Sequence, residues 1–252
     1  MNATDPERIA VLIPALNEAQ AIRDVVASAL TVCPNVIVVD DGSTDGTGER
    51  VADLPVTVIR HATPQGKGEA LRAGFRSALA SGFAAVVTMD GDGQHLAADI
   101  PRMLAAARRY PDHIVIAARL IDRDQQPASR RRACDFADWG LGWATGQRLV
   151  DTQSGQRYYP RAVMELTDVA TRHGFVFESE ILMEANWRLG VRMAAVPIQS
   201  RYHGGFRASH IKPVRDFLRI TRRIVWKILR RGGMLGNYVR SRRATPLIVE
   251  TD

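Results

Sequence analysis

Two carboxylates separated by one glycine, Asp90-Gly91-Asp92, end the apolar, β-prone run Val86-Val87-Thr88-Met89 and lead into Gly93-Gln94-His95. Such a run is suited to a buried strand. Its tip then holds hard oxygen ligands where a divalent cation can bridge to a diphosphate. Mg2+ or Mn2+ prefers carboxylate, carbonyl and phosphate oxygens to sulfur or imidazole. The segment points to an enzyme that handles a nucleotide-activated substrate. A plainer reading makes Asp92 part of a helix N-cap region with Gln94 incidental, and His95 a donor to a nearby carbonyl.

The elements that must position these groups alternate through the first half of the chain. Apolar runs at Ile9–Ile13, Val36–Val39, Val56–Ile59, Ala84–Met89 and Ile114–Ala118 read as strands. Helical stretches lie between them near Ala19–Thr31, Gly46–Ala52, Gly68–Ser81 and Ala98–Tyr110. This alternation predicts an α/β fold, a Rossmann-like, mostly parallel sheet with helices on both faces. Right-handed crossovers gather the strand C-termini on one edge, where ligands bind. That edge receives Pro14-Ala15-Leu16-Asn17-Glu18, Asp40-Asp41-Gly42-Ser43, Gly66-Lys67-Gly68, the Asp90–Asp92 pair and Arg119. Alone, Asp40-Asp41-Gly42-Ser43 reads equally as a turn that caps a helix. Beside a second acidic strand end, it reads as carboxylates that hold the base and ribose of a nucleotide. Gly66-Lys67-Gly68 is a turn with one cation, not a phosphate-binding P-loop, because the further glycine and the Ser/Thr are missing.

Beyond Arg123 the pattern loosens. Arg130-Arg131-Arg132 precedes a helix through Trp143, and Asp151-Thr152-Gln153-Ser154-Gly155 forms a loop before Tyr158-Tyr159. A helix covers Glu178–Leu189, followed by a strand at Met193–Val196 that Pro197 closes. On that helix Glu178 and Glu180 read as solvated charges, Met183 and Trp187 as core.

Charge divides the chain more sharply than the net +7 suggests. Residues 201–243 carry thirteen Lys/Arg against the single acid Asp216, while the rest holds 21 basic and 26 acidic residues. The expected organisation is therefore a body over residues 1–200 and a basic segment over 201–252. Between Pro213 and Arg231 apolar residues recur at helical spacing, with arginines largely off that stripe. Such a basic amphipathic helix suits an anionic membrane surface, its apolar face at the acyl boundary. The alternative is a helix packed on the body with a solvated basic face. Cys33 and Cys134 stand in no metal-like spacing, which fits a reducing, cytoplasmic compartment. No signal-peptide pattern opens the sequence, and no run approaches the roughly 18 apolar residues of a membrane span. The expectation is a cytoplasmic protein held peripherally on the inner face of the cytoplasmic membrane.

In this order the motifs Ile13–Glu18, Val39–Asp45, Gly66–Gly68, Asp90–His95 and Asp151–Gly155 resemble family 2 glycosyltransferases of the GT-A fold. The closer likeness is to the dolichol-phosphate mannosyltransferase and polyprenyl-phosphate glycosyltransferase branch. The resemblance implies that Pro14, Glu18 and Asp41, with Leu16 and Asp40 beside them, hold the nucleoside of a GDP- or UDP-linked sugar. It implies that Asp90 and Asp92, with Gln94, organise Mg2+ or Mn2+ on the donor diphosphate, and Lys67 and Gly91 are placed with the donor-binding residues. Arg119 and Arg131, in the Arg130–Arg132 cluster, match the region where such enzymes bind phosphate. The Gln-x-x-Arg-Trp signature of processive synthases is absent, which favours transfer of a single sugar. Where the mannosyltransferases end in Arg-x-x-Gly-x-Ser-Lys, this chain has Gly204-Gly205-Phe206-Arg207-Ala208-Ser209-His210.

The expected reaction is inverting transfer of one sugar to a lipid phosphate. A phosphate acceptor arrives ionised and needs no strong base. A hydroxyl acceptor, the second reading, needs a positioned carboxylate, for which Asp151 and then Glu180 are candidates. A sugar-phosphate nucleotidyltransferase requires a Gly-rich loop after the first strand, and Pro14–Glu18 is not one. A nucleic-acid-binding role would engage the basic tail alone, so no nucleic acid is expected as partner.

Overall fold

The structure, a computed structural model, describes residues 8–167, 176–199 and 213–251, with side chains in the last segment from Thr221 onward. The Gly204–His210 stretch lies outside the described residues. Among the described residues seven strands form one sheet: β1 (Ile9–Ala15), β2 (Val36–Asp40), β3 (Thr57–Arg60), β4 (Ala85–Thr88), β5 (His113–Arg119), β6 (Arg157–Pro160) and β7 (Arg192–Ile198). Their spatial order is β3-β2-β1-β4-β6-β5-β7. β6 alone runs antiparallel, against both β4 and β5. The other pairings are parallel, as buried Val/Ile-rich runs joined by helices require. All parallel strands therefore end on one edge, and the start of β6 returns to that same edge.

Among the described residues eight helices pack around the sheet: α1 (Ile22–Leu30), α2 (Lys67–Ala80), α3 (Ile100–Arg109), α4 (Ala128–Thr145), the single turn α5 (Arg161–Met164), α6 (Val176–Leu189), α7 (Pro213–Arg230) and α8 (Leu235–Arg243). Two apolar cores result. One holds α1 and α3 against the sheet, and the other holds α2, α4 and α6 with Ile224 and Ile228 of α7. At sites such as Gly74, whose missing Cβ would lie 2.1 Å from a Leu12 methyl carbon, helix and strand approach without a side chain between them.

Two expectations need correction, and one stretch left unassigned by the sequence is a strand. Gly46–Ala52 is not an α-helix but a loop with one 3-10 turn at Glu49–Val51. Asp45 accepts from the Thr47 N–H and hydroxyl, which diverts the backbone from helical bonding. The Tyr158-Tyr159 stretch is the strand β6, too short and too close to Pro160 to show a period. Pro197 does not close β7: it sits in register with Ala118, and β7 pairs with a full strand only on its β5 side, so the missing N–H is tolerated. The chain end returns to β7, where the Ala195 N–H donates to Leu247 O and the Val249 N–H to Ala195 O, each at 2.8 Å.

Candidate active site

The loops after β1 and β2 are laced together. Asn17 and Glu18 donate their N–H groups to Ser43 Oγ and Thr47 Oγ1 at 2.9 and 2.8 Å, and Thr44 N–H donates to Asn17 Oδ1 at 2.9 Å. Asn17 takes a left-handed φ of 57° to do so. Pro14 is buried, and Leu16 and Glu18 are half-buried, at the mouth of this seam. Asp40 accepts the Ser43 N–H at 2.9 Å, and its second oxygen lies 3.5 Å from Arg60 Nε. Asp41 accepts from the N–H groups of Gln65 (2.9 Å) and Gly66 (2.7 Å) and meets His61 Nδ1 at 2.7 Å. Asp41 thus shapes the segment that delivers Lys67. Gly42 is obligatory beneath it: at φ +77°, its Cβ would stand 2.6 Å from the Thr63 carbonyl carbon.

Lys67 opens α2 and reaches across to the tip of β4. Its Nζ lies 2.7 Å from Asp90 Oδ1 and 3.2 Å from Glu178 Oε2 on α6. Burial alone would lower its pKa, but the charges of Asp90 and Glu178 raise it, so it is a fixed cation. Burial likewise opposes ionisation of Asp90, but the charge of Lys67 overrides it and holds the carboxyl well below the usual range. Asp92 is pushed up, by burial first and then by the charge of Asp90. One Asp92 oxygen accepts the Gln94 N–H at 3.0 Å. His95 does not donate to a carbonyl: its Nδ1 accepts the Asp90 N–H at 3.1 Å, and burial lowers the ring's pKa. The neutral imidazole fixes the Asp90 backbone.

Gly155 seals this cluster from above. A Cβ there would stand 2.7 and 2.9 Å from the Asp90 oxygens and 3.0 Å from Lys67 Nζ. The donor set suits a hard cation. Asp92 is strained by a like charge, and no third His, Cys, Asp or Glu joins such a group among the described residues. Mg2+ or Mn2+ bound by one or two carboxylates, with phosphate and water oxygens completing the shell, has this requirement.

Beside it, at the end of β5, Arg119 grips Asp151 through Nε (2.8 Å) and a terminal nitrogen (2.7 Å), and its backbone N–H adds a third bond at 2.7 Å. Asp151 takes φ +46°. The buried Asp138 of α4 holds it there, accepting the N–H groups of Asp151 and Thr152 at 2.8 Å and the Thr152 hydroxyl at 2.6 Å. From below, the fully buried Arg157 donates to the carbonyls of Thr152, Ser154 and Glu178 at 2.7–2.8 Å. Arg131 donates to the carbonyls of Asp124 and Gln126 at the start of α4.

The geometry alters several sequence readings. Asp151, with three donors from Arg119, is a partner that orients the arginine, not an open base. Glu180 is also occupied: it is fully buried and lies 2.7 Å from Arg223 Nε on α7. Glu178 and Glu180 are not solvated charges, whereas Met183 is core as expected. Asp138 and Arg157 escaped notice. The signal for the glutamates was available, since Glu178-Ser179-Glu180 stands between the apolar Val176-Phe177 and Ile181-Leu182-Met183.

Residues 10–177 match the glycosyl transferase family 2 profile. The chain belongs to that family. It is 31% identical to the undecaprenyl-phosphate mannosyltransferase of Micrococcus luteus, over 76% of this chain and 82% of that one. It is 30% identical to the polyprenol monophosphomannose synthase of Mycolicibacterium smegmatis, over 76% of this chain and 77% of that one. Among solved structures, glucosyl-3-phosphoglycerate synthase from Mycobacterium tuberculosis, described with Mn2+ and UDP, superposes with a TM-score of 0.64. That superposition covers 92% of this chain and 85% of the other at 24% identity, and it shows the GT-A fold. This family 2 member is thus a glycosyltransferase, and the candidate site described above lies at the C-terminal edge of its sheet.

Proposed function

We propose that this glycosyltransferase moves one sugar, with inversion, from a GDP- or UDP-linked donor to a polyprenyl-phosphate acceptor on the inner face of the cytoplasmic membrane. The observation that carries the acceptor class is the state of the carboxylates. Glu178, Asp151 and Glu180 are each ion-paired, and Asp90, paired with Lys67, is assigned with Asp92 to the cation, so among the described residues of the site no carboxylate is set aside as a base. An acceptor that is already ionised fits this arrangement. The named activities of the Micrococcus and Mycolicibacterium relatives support the same class.

In this reading Pro14, Leu16, Glu18, Asp40 and Asp41 form the nucleoside side of the site. Asp90 and Asp92, with Gln94 adjoining and Gly91 leaving room, would hold Mg2+ or Mn2+. When bound, the cation would supply neutralisation of the charge that develops on the departing nucleoside diphosphate. Lys67 keeps Asp90 ionised and presents a second positive charge on the same side. Arg119, aligned by Asp151, and Arg131 receive the acceptor phosphate, since a guanidinium matches its oxygens in bidentate fashion. An oxygen of that phosphate attacks the anomeric carbon as the bond to the diphosphate oxygen breaks. No proton needs to move. The basic helix α7 holds the enzyme peripherally on the membrane.

The test is a panel of UDP- and GDP-sugars with Mg2+ or Mn2+, with and without undecaprenyl phosphate, for the wild type and Asp92→Ala. The reading expects release of one nucleoside diphosphate that depends on both metal and lipid and is lost in the variant. Donor hydrolysis that lipid phosphate never stimulates would overturn the acceptor assignment.

A further inference from the structure

The helix that anchors the Asp151 loop on its inner side is aromatic on its outer side. Phe136, Trp139 and Trp143 share one side of α4 at ~100° per residue. Their rings meet in tilted contacts with centroids 5.4 and 5.6 Å apart. Phe136 and Trp139 lie at the centre of the solvent-facing arc and are 40% and 38% exposed. α7 and α8 pack on opposite flanks. Gly140 faces Ile224 of α7, and Gly142 faces Ser241 of α8; these two positions stand about 160° apart around the helix. Trp143 completes the join, meeting Tyr238 at 5.4 Å and donating from Nε1 to Gly233 O at 2.9 Å.

The flanking helices continue the apolar character outward. Leu229 of α7 and Leu235 of α8 are 64% and 72% exposed, and Trp226 and Val239 are exposed beside them. On the flanking segment the charge is of one sign, residues 217–249 holding nine Lys/Arg and no acid, while the exposed Asp135 of α4 is paired with Arg123. Arg223 and Lys227 turn inward to Glu180 and Glu184, whereas Arg230 covers the Trp226 ring at 4.3 Å on the exposed side.

We infer that α4, α7 and α8 form a single face that docks on an anionic bilayer, with the Phe136–Trp139 pair of α4 at its centre. This rests on the membrane location proposed above and enlarges it from one helix to three. Exposed leucines gain from the acyl boundary, aromatic rings favour the headgroup level, and arginines pair with lipid phosphates. A second copy of the chain would bring like charges together. Nucleic acid would leave Leu229 and Leu235 without an apolar partner. The docking also sets a distance: Asp138, which holds the Arg119–Asp151 unit, lies across α4 from the aromatic stripe, about one helix diameter or ~10 Å. Arg119 is then within reach of phosphates at the headgroup level.

The test uses flotation with vesicles of phosphatidylcholine, with and without phosphatidylglycerol and lacking any polyprenyl phosphate, together with tryptophan quenching by brominated acyl chains. The wild type is expected to float only with anionic vesicles and to show quenching. Phe136→Ser/Trp139→Ser is expected to weaken vesicle binding by about tenfold or more, as loss of two buried aromatic side chains implies. Trp139→Phe, which conserves packing, should still float while losing part of the quenching. Unchanged flotation of the double-serine variant overturns the inference, as does equal binding to neutral vesicles, or a wild-type dimer or DNA complex in place of vesicle binding. Sugar transfer plays no part in this assay, so failure of the acceptor assignment would leave its result standing.

Discussion

Arg119 and Asp151 are locked face to face by two side-chain bonds of 2.7 and 2.8 Å, and the Arg119 N–H closes on the same carboxylate at 2.7 Å. Asp151 pays for this with a left-handed backbone, which Asp138 stabilises from behind. The pair fixes a guanidinium at the sheet edge, with one carboxylate already balancing its charge.

Removing that carboxylate should therefore do two things. Asp151→Ala leaves a nearly buried guanidinium without its counter-ion, at a cost of about 3–5 kcal/mol. Acceptor turnover is expected to fall by roughly 10²-fold through misplacement of Arg119. Denaturant unfolding and the acceptor KM together check this. A variant with wild-type stability and an unchanged KM would show that the pair positions nothing.

Gly155→Ala is a sharper probe, because the atoms nearest the added methyl all belong to the site. At 2.7 Å from Asp90 and 3.0 Å from Lys67, it must push the ion pair apart. Thr88 Oγ1 donates to Gly155 O at 2.7 Å, so the loop has little room to retreat. The expected result is a roughly 10–100-fold loss in donor kcat/KM with weaker Mn2+ binding, in the range of other ligand-orienting changes. Titration of Mn2+ in the absence of donor reads the second effect directly, and unaltered affinity there would sink the idea.

Glu180 ties α7 to the body, pairing with Arg223 at 2.7 Å and Lys227 at 3.4 Å while fully buried. Glu180→Ala should loosen the helix and expose its many basic residues to trypsin, with cleavage faster by roughly tenfold for an opening cost of ~1.4 kcal/mol. A surface ion pair of little consequence would leave the cleavage rate unchanged.

Much of this architecture was legible because buried strands and acidic strand tips leave local marks. The parallel strands and the Asp90–Asp92 tip needed only periodicity and abrupt changes of polarity. What escaped were long-range partnerships. Lys67 meets Glu178 across 111 positions, and Asp138 meets Asp151 through a backbone turn that no spacing encodes. Arg157 was hidden for the opposite reason, since a charged residue fully buried in a short central strand contradicts the burial pattern that identifies strands. The apolar stripe of the basic segment was visible, but its division was not. Ile224 and Ile228 go into the core, while Val225 and Leu229 remain exposed, a split that depends on where α4 and α6 stand.

That same central strand makes alkaline stability predictable. Tyr158 pairs with Val87 on β4 and with Val115 on β5, and burial pushes its phenol from 10.0 up to about 12. In the unfolded chain the phenol ionises near 10, whereas in the folded chain it stays neutral until about 12. Below pH 10 the two states bind the same proton and stability is unaffected. Between these values only the unfolded chain loses the proton, so stability falls with rising pH by about 1.4 kcal/mol per unit for this group. Tyr159 is shifted in the same direction, by burial above all, and adds a slope of its own. Tyr158→Phe should therefore reduce the steepness by about 1.4 kcal/mol per pH unit without abolishing it. Urea unfolding at intervals through this window checks the claim, and an identical slope in the variant would place the alkaline sensitivity elsewhere.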